Sequence, residues 1–214
     1  MSSVAVIDYG MGNLHSIAKA LQHADPERCI TVTDEPGAIL AADRVVFPGV
    51  GSIGDCMEAL RVRSLVAVLG EVARSKPLLG ICLGMQALLE DSEENGMTAC
   101  LGLFPGHVRR FPPQLSDAGG KLLKIPHMGW NRVAQSRPHP LWEGIPDGSR
   151  FYFVHSYFAS PDRPEDIAAT TSYPQPFAAA IAAGNVFAVQ FHPEKSQAAG
   201  LRLLANFLDW NPRG

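Results

Sequence analysis

The order of apolar and helical patterns predicts an α/β fold: a mostly parallel central sheet flanked by helices, with an antiparallel extension. Two observations lead there. Through the first half of the chain, short apolar runs alternate with amphipathic stretches, the pattern of strands covered on both faces by crossover helices. In the second half, strand-like runs follow one another across Pro- and Gly-rich turns, with a closing helix at the end. No internal repeat and no second core is legible, so residues 1–214 read as one domain.

The elements follow in order. Val4 to Ile7 is a strand, followed by the glycine-rich DYGMGN and a helix over roughly Leu14 to His23. Arg44 to Phe47 is a second strand; it ends in PGVGSIGD and leads into one long amphipathic helix reaching about Ala73. Pro77 to Ile81 is a third strand, with a helix from about Leu83 to Glu90 after it. Phe104 to Phe111, Leu122 to Ile125 and Phe151 to Phe158 read as the antiparallel strands, and Pro112 to Gly120 as a loop. Asn185 to Phe191 is the last strand, and Ser196 is placed to N-cap a helix through Trp210. The loop and the alanine-rich Ala178 to Ala183 carry no functional signature.

Composition narrows the function. The chain has 214 residues, 46% hydrophobic and 18% charged, with a formal net charge of -3, so no basic field for nucleic acid is present. The N-terminus MSSVAVIDYG lacks the basic region of a signal peptide, and no apolar run approaches the ~20 residues of a membrane span. Cys29, Cys56, Cys82 and Cys100 show no CxxC spacing and read as free thiols. A cytoplasmic location is expected, with no nucleic-acid or membrane partner.

In sheets of this kind ligands gather outside the carboxyl ends of the parallel strands, where DYGMGN, PGVGS, CLGMQ and HPEKS fall. Gly10 and Gly12 begin a dinucleotide fingerprint, but position 15 is His where a third glycine is needed, so a tight turn is the better account and no cofactor is called. Gly80-Ile-Cys-Leu-Gly84 has the shape of a nucleophile elbow: the glycines clear the space that a sharp strand-to-helix turn requires, and the helix N-terminus favours a thiolate. Taken alone it suits a buried thiol equally well. His192 at the end of the last strand is followed by Pro193 and Glu194, so the carboxylate can turn back on the imidazole and complete a Cys-His-Glu triad. Of the other histidines only His23 has a near carboxylate, Asp25, and that pair lies away from the strand ends; His15, His107, His127, His139 and His155 have none. No His or Cys pair has ligand spacing on one element, so no metal is called. Pro48-Gly-Val-Gly51 serves as a plain turn or as backbone N–H groups presented to an oxyanion.

Taken together, DYGMGN, PGVG, GICLGMQ, PHMGWN (126–131), FVHSY (153–157) and QFHPEKS (190–196) resemble the class I, triad-type glutamine amidotransferases, whose fold is flavodoxin-like. Within them PHMGWN and PGVG are similar to the glutaminase subunits of imidazole glycerol phosphate synthase, in histidine biosynthesis. The resemblance implies that Cys82 attacks the side-chain amide of glutamine to give a γ-glutamyl thioester, that His192 moves the protons, and that Glu194 orients it. It implies an oxyanion hole from the backbone at Val50, Gly51 and Leu83, and glutamine contacts at Gly51, Gln86, Ser156 and Tyr157. It further implies a heterodimer with a (βα)8-barrel cyclase that consumes the ammonia, with Trp130, Tyr152 and Lys195 at the interface. A core or solvated role suits those three equally on residue type alone. Glycines on both sides of Val50 lower the cost of rotating its peptide towards the oxyanion. The alternatives are a standalone γ-glutamyl hydrolase or peptidase, which leaves PHMGWN unexplained, and a silent regulatory binding protein, which an intact triad argues against.

Overall fold

The computed structural model describes residues 2–117 and 119–212. Its strands are β1 (Ser3–Ile7), β2 (Cys29–Thr33), β3 (Arg44–Gly49), β4 (Leu78–Cys82), β5 (Asp91–Ser92), β6 (Thr98–Ala99), β7 (Gly106–Arg110), β8 (His127–Arg132), β9 (Ala134–Gln135), β10 (Arg150–His155), β11 (Tyr157–Pro161), β12 (Ile167–Ser172), β13 (Pro176–Ala183) and β14 (Val186–Val189). The helices are α1 (Leu14–Ala24), α2 (Pro36–Ala41), α3 (Ile53–Val62), α4 (Leu65–Ser75), α5 (Leu83–Gln86) and α6 (Gln197–Asp209). The main sheet runs β2-β1-β3-β4-β14-β13-β12-β9. From β2 to β14 every pairing is parallel, in the 2-1-3-4-5 order of flavodoxin-like sheets, and β13, β12 and β9 extend it antiparallel. A β10-β8 ribbon and a β11-β7-β5-β6 sheet pack beside it.

Strand alternation divides the core in two. Val4, Val6, Val46, Leu79 and Ile81 pack with α1, α6 and the aromatic residues of the ribbon, whereas Ala5, Ile7, Val45, Phe47 and Leu78 pack with α2, α3 and α4. Among the described residues no helix is long and apolar enough to cross a membrane.

Several expectations need correction. The long helix to Ala73 is two helices, because Ser64 turns into the left-handed region (φ 57) while the apolar periodicity continues past it. The helix from Leu83 stops at Gln86: the 100–104 segment folds back, and its N–H groups occupy the carbonyls of Ala87, Leu88, Leu89 and Glu90. Phe151 to Phe158 is two strands in different sheets, parted at Ser156, whose carbonyl accepts from Phe111 N. Leu122 to Ile125 is not a strand; Leu122 is exposed and makes one isolated bridge to Ser116, and β8 starts only after Pro126. The 112–120 segment contains Ala118, which lies outside the described residues. The alanine-rich 178–183 run forms the rest of β13 to its end, buried as far as Ala182, with β11 packed against the strand. Ser196 stands at the N-cap of α6, yet its hydroxyl does not cap; it donates to His192 O (2.6 Å) and accepts from Tyr152 N (3.0 Å).

Candidate active site

Cys82 closes β4 with φ 54 and ψ -109, a left-handed-side conformation that costs an L-residue on the order of 1–3 kcal/mol. The glycines beside it are sterically compulsory. A Cβ on Gly84 would sit 1.9 Å from Phe47 O, and one on Gly80 would sit 2.9 Å from Ala188 Cβ and 3.3 Å from the Gly84 backbone. Gly49 lies opposite Cys82 in the β3–β4 register, where a Cβ would come 2.3 Å from the Tyr9 hydroxyl oxygen. That hydroxyl donates to Pro48 O (2.9 Å), so DYGMGN anchors the start of the PGVG segment. The rest of the motif is a turn: Gly10 and Gly12 have positive φ, and the Asn13 side chain accepts from Ser16 N at the head of α1.

His192 follows β14, and its main-chain N–H donates to Tyr152 O (2.9 Å). Pro193 starts a single 3-10 turn that swings Glu194 back, so its Oε1 lies 2.9 Å from His192 Nδ1, with both side chains buried. Burial by itself pulls the imidazole down, but the Cys82 sulfur and the Glu194 carboxylate outweigh it and hold His192 up at about 10. The buried Nε2 makes no strict hydrogen bond, although the sulfur is close enough to exert this effect. Asp25 by contrast pairs with Arg28 (2.7 Å) and leaves His23 aside.

A cavity of about 310 Å³ opens over the elbow. Cys82, Leu83, Val50, Gly51, Gln86, Ser156, Tyr157 and His192 all line it, so the residues named for nucleophile, oxyanion and glutamine contacts are brought together, with Glu194 behind His192. Leu83 is the first residue of α5, which leaves its N–H outside the helical ladder. Trp130, Tyr152 and Lys195 form a separate surface cluster. The Trp130 and Tyr152 rings meet edge-on at 6.2 Å, and Lys195 Nζ lies 5.8 Å from the Tyr152 ring. Through the Tyr152 backbone and Ser196 this cluster is hydrogen-bonded to the main chain of His192.

Sequence reasoning missed His155, Glu94, Pro126 and Val154 in the cavity wall, and Gln190 beneath the sulfur. His155 and Gln190 stood inside quoted motifs, but only tertiary contacts give them partners. His155 Nδ1 donates to Tyr157 O (2.7 Å), and its Nε2 lies 3.0 Å from Nδ1 of the buried His127. His127 Nε2 in turn lies 3.3 Å from Asn131 Nδ2. Burial pushes His127 down to about 4 and His155 to about 3, so both are neutral. His107 does have a carboxylate after all, Asp91 at 2.8 Å, brought from 16 residues away. Glu90, His107 and Asp162 bring ligand atoms within 4.8 Å of one another at that edge, where Glu90 and Asp162 are exposed.

The pattern of the class-I glutamine amidotransferase family matches residues 5–210. An imidazole glycerol phosphate synthase subunit HisH from Methylococcus capsulatus is 70% identical over 213 residues, covering 99% of this chain and 98% of that one. The subunit of the same name from Thiobacillus denitrificans is 59% identical, covering 98% and 92%. Among solved structures, a glutamine amidotransferase superposes with a TM-score of 0.71 at 18% identity, covering 96% of this chain and 97% of that one. PurLQS from Thermotoga maritima gives 0.69 at 18%, covering 97% and 98%. With an elbow cysteine, a histidine–carboxylate pair and a shared cavity at the ends of its parallel strands, the chain belongs to the class-I glutamine amidotransferases.

Proposed function

We propose that this chain is the glutaminase subunit of an imidazole glycerol phosphate synthase in histidine biosynthesis, acting as one domain in the cytoplasm. The reading rests on the cavity in which the strained Cys82 meets His192 and Glu194, and the names of relatives at 70% and 59% identity support it. Cys82 Sγ attacks the side-chain carbonyl carbon of glutamine, and the oxyanion takes N–H groups from Val50, Gly51 and Leu83. The His192 imidazolium protonates the departing nitrogen, ammonia leaves, and a γ-glutamyl thioester remains. Water, deprotonated by His192, then releases glutamate and the thiolate. Gln86 Nε2 is already committed to Tyr157 O (2.9 Å) and Gln190 Oε1 (3.0 Å), so Gln86 contacts the substrate through its Oε1. Gly51, Ser156 and Tyr157 complete the glutamine contacts.

The ammonia is delivered to a (βα)8-barrel cyclase subunit docked over Trp130, Tyr152 and Lys195, which uses it to make imidazole glycerol phosphate and aminoimidazole carboxamide ribotide. An exposed Trp130 against a half-buried Tyr152, with a basic rim, suits such an interface. The test pairs the chain with its candidate cyclase. Glutamine-dependent product should need both proteins and vanish in Cys82→Ala, while ammonia-dependent product should need the cyclase alone. Glutamine-dependent turnover by Cys82→Ala would sink the assignment; vigorous glutamine hydrolysis by the chain alone would favour a standalone hydrolase.

A further inference from the structure

Gln190 belongs to no role assigned so far. It follows β14, its main-chain N–H still donates to Ala179 O (2.9 Å), and the residue is completely buried beneath the elbow. Its side-chain Nε2 lies 3.7 Å from Cys82 Sγ, within the range of a hydrogen bond to sulfur. A buried glutamine in a core could simply be a satisfied polar group, so the direction in which its amide points decides the matter.

That direction is dictated by a main-chain carbonyl. Tyr157 O can only accept, so the group Gln86 turns to it (2.9 Å) must be Nε2, not Oε1. The same Nε2 has a second hydrogen, which meets the Gln190 side chain at 3.0 Å; the atom there must therefore be the acceptor, Oε1. With its oxygen so placed, Gln190 has only its NH2 group left to present to the sulfur. The carbonyl is itself held from the other side, because His155 Nδ1 donates to it at 2.7 Å. His155 Nε2 then accepts from His127 Nδ1, and His127 Nε2 accepts from Asn131 Nδ2, which also reaches Ser172 O (2.9 Å). Every donor and acceptor from Asn131 to Gln190 thus has one self-consistent orientation. Flipping Gln190 would set two buried NH2 groups against each other.

We propose that Gln190 is a further catalytic residue of this enzyme: its side-chain amide donates to the Cys82 sulfur, favouring the thiolate and fixing where the sulfur points, and Gln86 with the Tyr157 carbonyl is the device that aims it. This rests on the reading of Cys82 as the nucleophile. A thiolate accepts an N–H far better than a thiol or a thioester sulfur, so the contact is strongest before attack and again when the thiolate leaves in hydrolysis. His192 carries the mobile proton, to the departing nitrogen and back from water; Gln190 supplies the sulfur with a fixed dipole that never has to move.

The test uses the chain alone and so does not depend on the identity of the ammonia acceptor. Alkylation of Cys82 by iodoacetamide is followed against pH by mass spectrometry of the Cys82 peptide, which separates it from the exposed Cys29. In Gln190→Leu the pH of half-maximal alkylation should rise by about one unit, a roughly tenfold loss of rate near neutrality, the size expected for one hydrogen bond to a charged acceptor. Gln190→Glu, close in shape but with a carboxylate against the sulfur, should shift it further. In the unsubstituted chain the Gln190 side-chain NH2 resonances should move with the same pH midpoint and jump when Cys82 is alkylated. An unchanged midpoint in a folded variant overturns the proposal. NH2 signals indifferent to the state of Cys82 do so too, and they decide the matter if neither variant folds. Retained glutamine turnover by Cys82→Ala would instead remove the nucleophile, a separate failure with its own readout.

Discussion

His192 and His155 line one cavity, both are almost wholly buried, and each makes its Nδ1 contact to an oxygen 2.7–2.9 Å away. The oxygen is what separates them. Glu194 offers His192 a carboxylate, and with the Cys82 sulfur it reverses the effect of burial, holding the imidazole at about 10. His155 has only the Tyr157 carbonyl and a second buried histidine, so burial wins and it stays near 3. Two imidazoles in one wall therefore differ in charge because one faces a sulfur and a carboxylate and the other faces neither, and each charge suits its place. A charged His192 can give a proton to a leaving amine; a neutral His155 can hold a carbonyl, and through it Gln86, without adding a second cation to the site.

Removing that carboxylate is the largest blow the comparison allows. In Glu194→Gln the Cys82 sulfur alone must hold the imidazolium against burial, so His192 should titrate at lower pH. Glutamine-dependent turnover with the cyclase should fall by about 10⁴-fold, in line with loss of the orienting carboxylate from other triads. The alkaline limb of the pH–rate profile should also slide to lower pH, since it is the imidazolium that is lost. A variant within threefold of the parent would mean that Glu194 only fills space.

The charged corner is the part that sequence made legible, and the neutral corner is the part it hid. Cys82, His192 and Glu194 announce themselves because their constraints are local: glycines two residues either side of the cysteine, and a proline between histidine and carboxylate. The parallel strands are legible for the same reason, being continuous apolar runs buried on both faces. The His127–His155–Tyr157–Gln86–Gln190 series joins four separate stretches of the chain, and no spacing rule connects them. Misreadings arose where tertiary contacts override a local pattern. The Phe151 to Phe158 run splits between two sheets at Ser156, and the helix after Cys82 is cut short by carbonyl capture from the 100–104 segment. The edge strand β2 and helix α2 went unread because neither carries more than a thin buried stripe.

The neutral corner makes a thermodynamic prediction of moderate size. An imidazole whose folded value lies below its unfolded value resists protonation in the native state, so its effect on stability is absent at pH 7 and becomes a growing penalty as pH falls below about 6.5. For His155, from 6.5 to about 3 at roughly 1.4 kcal/mol per unit, the full penalty is on the order of 4–5 kcal/mol, mostly accrued by pH 4. His192 has the opposite sign: its stabilisation is complete in acid and is lost only as pH rises towards about 10. Urea unfolding at steps from pH 7 to pH 4 should therefore show a steep loss of stability. His155→Gln keeps a donor for the Tyr157 carbonyl but cannot titrate. It should start less stable at pH 7 by about 1–3 kcal/mol, for the disturbed His127 contact, and then show a flatter acid limb. An acid limb as steep as the parent's would transfer the effect to surface carboxylates.

The sharpest version of the comparison carries the carboxylate from one corner to the other. Asn131 Nδ2 lies 3.3 Å from His127 Nε2 and also donates to Ser172 O, so Asn131→Asp places a carboxylate beside a buried imidazole much as Glu194 stands beside His192. The existing orientation accommodates the change. A protonated His127 would donate from Nε2 to the new carboxylate and from Nδ1 to His155 Nε2, the donor role it already plays. His127 should accordingly leave its depressed value near 4 and titrate at or above its ordinary 6.5, read by NMR from its ring Cε1 proton. Ser172 O loses a donor and the new carboxylate must be partly desolvated, so stability at pH 7 should drop by only about 1–2 kcal/mol. Catalysis should change less than in any variant above, because the carbonyl at Tyr157 keeps both of its donors. If the His127 titration stays near 4 in the Asn131→Asp chain, then a neighbouring carboxylate is not what sets the charge of a buried imidazole in this wall, and the account of His192 must rest on the Cys82 sulfur alone.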